Sequence, residues 1–205
     1  MFRMSSIAAL SAIAILGISA VRISSDEFNL GFEFVKPNGQ PTHWYTGGSL
    51  DSKSRRLLSA HEEGFDVSLD SLEKHQGKYS LHLKTITGAH SSARSGDLGE
   101  SMIFDQILES TRGKIVTYSG WIKTSKVSNW AGLWWRVDSG NKVLAFNNMY
   151  DSALRGTHDW KRYSFTIPVS NSATGIDYGV IMCGDSSEAW FDELSIDTNG
   201  KSYAR

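Results

Sequence analysis

The sequence has one cysteine, three prolines and almost no charge imbalance, and each shortage closes a route to function. A lone Cys183 makes no internal disulfide and leaves no thiolate cluster for a structural zinc or an iron–sulfur centre. It lies in an apolar stretch and reads as a small buried hydrophobe rather than a catalytic thiol. With 21 Lys and Arg against 22 Asp and Glu, the formal charge of −1 argues against a nucleic-acid binder that works by neutralising phosphates. There is no glycine-rich phosphate loop ending in Lys-Ser or Lys-Thr, and no Gly-x-Ser-x-Gly elbow. The histidines at 43, 61, 75, 82, 90 and 158 never sit three or four apart, so no helical zinc pair is encoded. Nothing in the sequence marks two carboxylates as a facing acid/base pair for glycoside cleavage. These absences tilt the reading towards a binding module and away from an enzyme.

Long apolar runs are missing as well, with one exception at the start. Residues 1–20 carry Arg3, an apolar run from Ile7 to Ile18, and the small residues Gly17, Ser19 and Ala20. This is the layout of a secretory signal peptide, with cleavage expected after Ser19 or Ala20. The run stops at Arg22, short of the roughly 20 apolar residues of a membrane span. No cysteine lies near the cleavage point to take a lipid. The expectation is an exported chain, periplasmic or extracellular, with no integral membrane span after cleavage. One free cysteine fits a bacterial envelope or secretion route.

What the sequence does have is aromatic side chains and alternation. Seven Trp, seven Tyr and nine Phe suit a β-rich fold or a surface that binds something flat. Phe65, Val67 and Leu69 alternate with polar residues, as do Tyr79, Leu81 and Leu83, then Tyr163, Phe165 and Ile167. Near the end, Trp190, Asp192, Leu194 and Ile196 alternate with Phe191, Glu193 and Ser195. Strands are expected around 29–35, 65–71, 78–86, 101–108, 114–124, 131–138, 142–149, 160–168, 175–183 and 188–197. Turn residues separate them at Gln76-Gly77, Arg112-Gly113, Ser139-Gly140-Asn141 and Gly184-Asp185-Ser186-Ser187. Strands at this spacing without helical periodicity mean an antiparallel sandwich or barrel. A single domain over 28–198 and a tail at 199–205 follow. Pro37–Gly64 reads as irregular with a short helix within Ser52–Glu62, and Ala89–Gly99 as a polar surface loop.

A series of short motifs then gives a family likeness: Asn29-Leu-Gly-Phe-Glu33, Lys74-His-Gln-Gly-Lys-Tyr-Ser-Leu81, Tyr118-Ser-Gly-Trp-Ile-Lys-Thr124, Ala131-Gly-Leu-Trp-Trp-Arg-Val-Asp138, Phe146-Asn-Asn-Met149, Gly156-Thr-His-Asp-Trp160 and Ala189-Trp-Phe-Asp-Glu193. In this order they resemble the galactose-binding-like, carbohydrate-binding-module-like jelly-roll superfamily. The likeness is strongest to accessory domains found beside bacterial peptidases and transcriptional regulators. It implies an all-β, antiparallel two-sheet jelly-roll β-sandwich without catalysis, whose concave sheet or loop rim holds a sugar or other polar small ligand. It also implies a structural Ca²⁺ tying the first strand to the last, through Glu33 and Asp192. Two positions depart from the family pattern. Asn147 stands where an aspartate is usual, and Asp192-Glu193 replaces a pair of aspartates.

The residues offer their own candidate site. Leu133, Trp135 and Val137 form an apolar face, leaving Trp134, Arg136 and Asp138 on the other. An exposed indole beside Arg and Asp suits a pyranose, whose C–H face lies on the ring while its hydroxyls meet the charges. Trp130 would form a second wall, and Asn147 would return along the next strand as donor and acceptor. Trp121, Trp160 and Trp190 are expected in core or rim packing. The sequence thus reads as an exported module binding a carbohydrate or similar ligand. The alternative is an envelope structural or protein-interaction domain partnering a separate catalytic chain, and a polysaccharide hydrolase comes third.

Overall fold

A computed structural model describes residues 21–22, 26–46, 61, 64–86, 95–100 and 105–202. The expected leader lies outside them, as does the helix expected within Ser52–Glu62, apart from His61 in a turn. In chain order the elements are β1 (Val21–Arg22), β2 (Tyr45–Thr46), β3 (Phe65–Asp70), β4 (Ser80–Thr85), β5 (Ser95–Glu100), α1 (Asp105–Thr111), β6 (Lys114–Ser139), β7 (Lys142–Asn147), β8 (Leu154–Pro168), β9 (Gly175–Cys183) and β10 (Glu188–Ser202).

Every pairing is antiparallel, and β6 belongs to two sheets. Its first half, 114–125, lies between β10 and β8, and β4 and β3 continue beyond β10. Its second half, 130–139, lies between β9 and β7, and β5 and β2 continue beyond β9. The result is a two-layer jelly-roll sandwich. Phe65, Leu81, Leu83, Tyr118, Ile122 and Phe191 from the first sheet meet Leu133, Trp135, Val137, Tyr178 and Val180 from the second in one continuous core. Trp135 stacks on Tyr178 with ring centroids 5.2 Å apart and is fully buried.

The two strands expected at 114–124 and 131–138 are thus one strand with a corner. Before the corner Val116, Tyr118, Ile122 and Thr124 face inward; after it Ala131, Leu133, Trp135 and Val137 do. The phase changes from even to odd because Lys126 takes a left-handed φ of 53°, which inserts a residue into the pleat. Hydroxyls fasten the bend. The Ser128 N–H donates to Ser187 Oγ at 3.1 Å, the Asp185 N–H to Ser128 Oγ at 2.8 Å, and Thr85 Oγ1 to the Gly184 carbonyl at 2.9 Å. Gly184 sits at φ 129°, and a Cβ there would lie 2.8 Å from the Asn129 nitrogen, so the corner demands glycine.

Four other segments differ from the sequence expectation. Residues 105–111 form α1 where a strand was expected at 101–108. Ile107, Leu108 and Thr111 share a buried helical face, and Thr111 Oγ1 returns a bond to the Ile107 carbonyl at 2.6 Å. The expected strand at 29–35 is a knotted turn. Phe28, Leu30 and Phe32 do point inward, but the buried Asn29 side chain takes the place of a strand partner, donating to the Phe34 and Thr42 carbonyls and accepting the Phe34 N–H. Part of the expected 89–99 loop is β5, because the open edge of β9 accepts its backbone from Ser95↔Cys183 to Glu100↔Tyr178. The expected tail continues β10 to Ser202, backed by β1 at Val21↔Thr198.

Cutting Trp135 to Ala empties the centre of this core and should cost about 3–5 kcal/mol in urea unfolding. An unchanged midpoint would place the core elsewhere.

Candidate functional site

The outer face of the second sheet carries most of the residues singled out in the sequence. Trp134, Arg136 and Asp138 alternate outward on β6 between the buried Leu133, Trp135 and Val137, as period two requires. Across the ladder Arg136 faces Phe146 of β7 on one side and Asp177 of β9 on the other. Trp134 faces Gly179. Arg136 turns its Nε onto Asp138, 2.8 Å from Oδ2 and 3.1 Å from Oδ1. Phe146 and Tyr150 are 55 % and 54 % exposed. Trp130, half-buried within β6, donates its indole N–H to the Asn148 carbonyl at 3.4 Å and meets Tyr150 edge-on at 5.3 Å. The buried indole N–H of Trp134 has no acceptor. Asp177 is held above the usual carboxylate range, chiefly by burial and then by the neighbouring Asp138 charge, with Arg136 pulling the other way.

Asn147 is not on this face. It pairs with Trp135, so it points to the opposite side of β7, and its Oδ1 accepts the Met149 N–H at 2.9 Å. The residue beside Arg136 is Phe146. Asn147 instead lines, with Asn148, Asp151 and Phe165, a cavity of about 190 Å³ that adjoins the face, since Phe146 and Tyr150 line it too. Phe146, Tyr150 and Asp177 are the additions that sequence reading missed. Asp177 alternates with Ile176 and Tyr178 and was legible as outward, but no local signal aligned it with Arg136.

The first sheet has an aromatic outer face of its own, made by Trp121, Trp160 and Trp190, which lie outside the core and half-buried. The Trp190 N–H donates to Asp70 Oδ2 at 3.0 Å, and the His82 ring lies parallel to its indole at 4.5 Å. The Trp160 N–H donates to Glu73 Oε1 at 2.9 Å, while Glu73 Oε2 takes Lys123 at 3.0 Å. His75 stacks on Trp121 at 3.8 Å and its Nδ1 meets Glu193. On this face each indole is covered or bonded by the protein itself, through the β3–β4 loop. His82, also paired with Glu188 at 3.0 Å, sits below its ordinary pKa near 6.5 because burial opposes its charge.

Glu33 and Asp192 lie at one end of the sandwich around a cavity of about 210 Å³. Asp192 Oδ2 accepts the N–H groups of His75 and Gln76, each at 2.9 Å, and Glu33 accepts that of Lys78 at 2.9 and 3.0 Å. The two carboxylates clamp the same loop from opposite sides, and Gly77 leaves room for Glu33 against it. Among the described residues no three His, Cys, Asp or Glu side chains are placed to share a cation. As arranged, the pair holds loop amides, and Asp26, Asn29 and Glu193 line the same cavity.

The fold is an antiparallel two-layer jelly roll, an architecture it shares with solved carbohydrate-binding modules. A xylan-binding domain of carbohydrate-binding family 22 superposes with a TM-score of 0.51 at 12 % identity, covering 83 % of this chain and 97 % of that one. The tandem family-22 modules of Paenibacillus barcinonensis Xyn10C give 0.50 at 15 % identity, covering 82 % of this chain and 43 % of theirs. The enzymatically active domain of bacteriophage CBA120 tailspike protein 4 gives 0.52 at 10 % identity, over 86 % of this chain and 21 % of that one. No family model matches the sequence. In sequence, the chain is 33 % identical over 141 residues to the uncharacterized HTH-type transcriptional regulator YbfP of Bacillus subtilis strain 168. That stretch is 67 % of this chain and spans less than half, 45 %, of the regulator.

Two predictions follow from these clamps and stacks. Because folded His82 takes its proton at lower pH than the unfolded chain does, the unfolded state binds more protons as pH falls through about 6.5, and stability is lost there. His82→Gln should flatten that part of a melting-temperature profile against pH; an identical slope would exclude His82 as its source. Asp192→Ala removes the acceptor of the His75 and Gln76 N–H groups and should cost about 2–4 kcal/mol in urea unfolding; an unchanged midpoint would show that the clamp adds no stability. A calcium-dependent rise in the parent's melting temperature would show that the Glu33–Asp192 cavity also takes a metal.

Proposed function

We propose that the chain is an exported carbohydrate-binding module whose ligand lies on the outer face of the second sheet, across Trp134, Arg136, Phe146 and Tyr150. The contrast between the two aromatic faces carries this reading. On the first sheet the rings are stacked by histidines and the indole N–H groups of Trp160 and Trp190 are bonded to carboxylates. On the second, Phe146 and Tyr150 are open to solvent. A sugar would stack its C–H face on these rings and hydrogen-bond to Arg136 and Asp138. That solved xylan-binding domains share the fold supports the choice of ligand class. Binding here needs no covalent step, and the residues are placed as contacts around a face rather than as a nucleophile and base. No helix among the described residues is long and apolar enough to cross a membrane. Cleavage after Ser19 or Ala20 would leave β1, which starts at Val21, intact.

The test is a titration of the mature protein with xylan-, galactan- and glucan-derived oligosaccharides, read by tryptophan fluorescence. A saturable change is expected, weakened at least tenfold by Trp134→Ala or Arg136→Ala. Gly175→Leu supplies a second arm. A Cβ at Gly175 meets nothing within 4 Å, so a larger side chain there should obstruct the face without lowering the melting temperature. A flat response to every glycan would overturn the proposal and leave the exposed aromatic rings as a protein-docking surface. Release of reducing ends on prolonged incubation would instead mark a hydrolase.

A further inference from the structure

Asp177 stands on the proposed binding face without a side-chain partner among the described residues. On β9 the outward residues run Gly175, Asp177, Gly179, so the carboxylate stands between two positions that have no side chain. It lies directly across the ladder from Arg136, the natural partner. Yet Arg136 places its Nε on both oxygens of Asp138, and makes no ion pair with Asp177. Asp177 makes no hydrogen bond or ion pair among the described residues, although it is half-buried. Its oxygens are reached by water, so the carboxylate stands ready for a donor from solution. Burial and the Asp138 charge raise its proton affinity. The surrounding charge has a definite sign. Asp138 and Asp177 outnumber Arg136, so the face is hostile to a carboxylate-bearing sugar and favourable to a cation. Phe146 shares the Arg136–Asp177 row and Trp134 lies one row along, which places π-faces beside the same spot.

We infer that the ligand of this face carries an ammonium group that seats on Asp177, so that the preferred carbohydrate is an amino sugar, such as a glucosamine polymer, rather than a neutral or uronate glycan. The inference rests on the carbohydrate reading of the same face. An ammonium supplies three donors and a full charge where a hydroxyl supplies one donor, and the rings beside it take the sugar's apolar face. Seating it would neutralise the Asp177–Asp138 repulsion without requiring Arg136 to leave Asp138.

The test compares β-1,4-linked glucosamine tetramer, its N-acetylated counterpart, a neutral glucose tetramer and a uronate oligomer of equal length, titrated against the whole protein at pH 6. Tryptophan fluorescence and calorimetry give two independent readouts. The glucosamine tetramer should bind at least tenfold more tightly than the N-acetylated and neutral forms, with the uronate weakest, and salt should weaken the glucosamine complex most. Asp177→Asn should bring glucosamine binding down to the level of the neutral tetramer. The same variant should melt no lower than the parent at neutral pH, since it removes an unpaired charge. Equal binding of charged and neutral tetramers, indifferent to Asp177→Asn, would overturn the ammonium site and leave carbohydrate binding standing. Failure of every oligosaccharide to bind would overturn both.

Discussion

A single strand shared by two sheets is the constraint on which the rest of this structure depends. β6 gives its first half to one layer and its second half to the other, so the distance and tilt between the layers are set inside one covalent segment. The corner at Lys126 does more than bend the chain. It flips which residues face the core, and that flip places Trp135 inside and Trp134 outside. A corner without the extra residue would keep the even-numbered side chains inward, burying Trp134 and Arg136 and exposing Leu133, Trp135 and Val137. The serine and threonine hydroxyls that hold the bend therefore hold the candidate site as well.

The two outer faces show how similar residues serve opposite ends. Tryptophan, histidine, lysine and carboxylates on the first sheet are closed on one another under the β3–β4 loop, and that loop is itself pinned by Glu33 and Asp192. Satisfied groups of this kind stabilise and specify a fold. The second face leaves the Phe146 and Tyr150 rings open and the Asp177 carboxylate without a hydrogen-bond donor among the described residues. Open rings beside an unpaired carboxylate are what a ligand would cover and pair, which is why this face and not the first is proposed as the site.

Much of this was legible in the residues. Alternation in Leu133–Asp138 separated core from surface correctly, and the order of short motifs indicated a jelly roll. Local periodicity failed where a short polar side chain or a bulge intervened. Asn29 supplied backbone partners through its amide and turned an apparent strand into a knot. Glu193, at φ 46°, marks the bulge in β10 after which Leu194 and Ile196 face inward, while Trp190 and Asp192 before it face out, so a single alternation read across 190–196 misassigned their sides. In 105–111 the buried Ile107, Leu108 and Thr111 fit a helical period, which the adjacent pair at 107 and 108 denies to a strand.

Within an unbroken stretch of strand such as Leu133–Asp138, the sequence by itself determined which side a side chain occupies, because alternation is a property of neighbouring residues in one extended backbone. What stands across from what was decided only by tertiary structure. Register between strands depends on turns and bulges, such as the shift between Val137 and Asp138 that aligns Phe146, not Asn147, with Arg136. The pairing of β9 with β6 brought Asp177 to the same row, from forty-one positions further along the chain. No local pattern encodes that meeting; it exists because two sheets closed over one core.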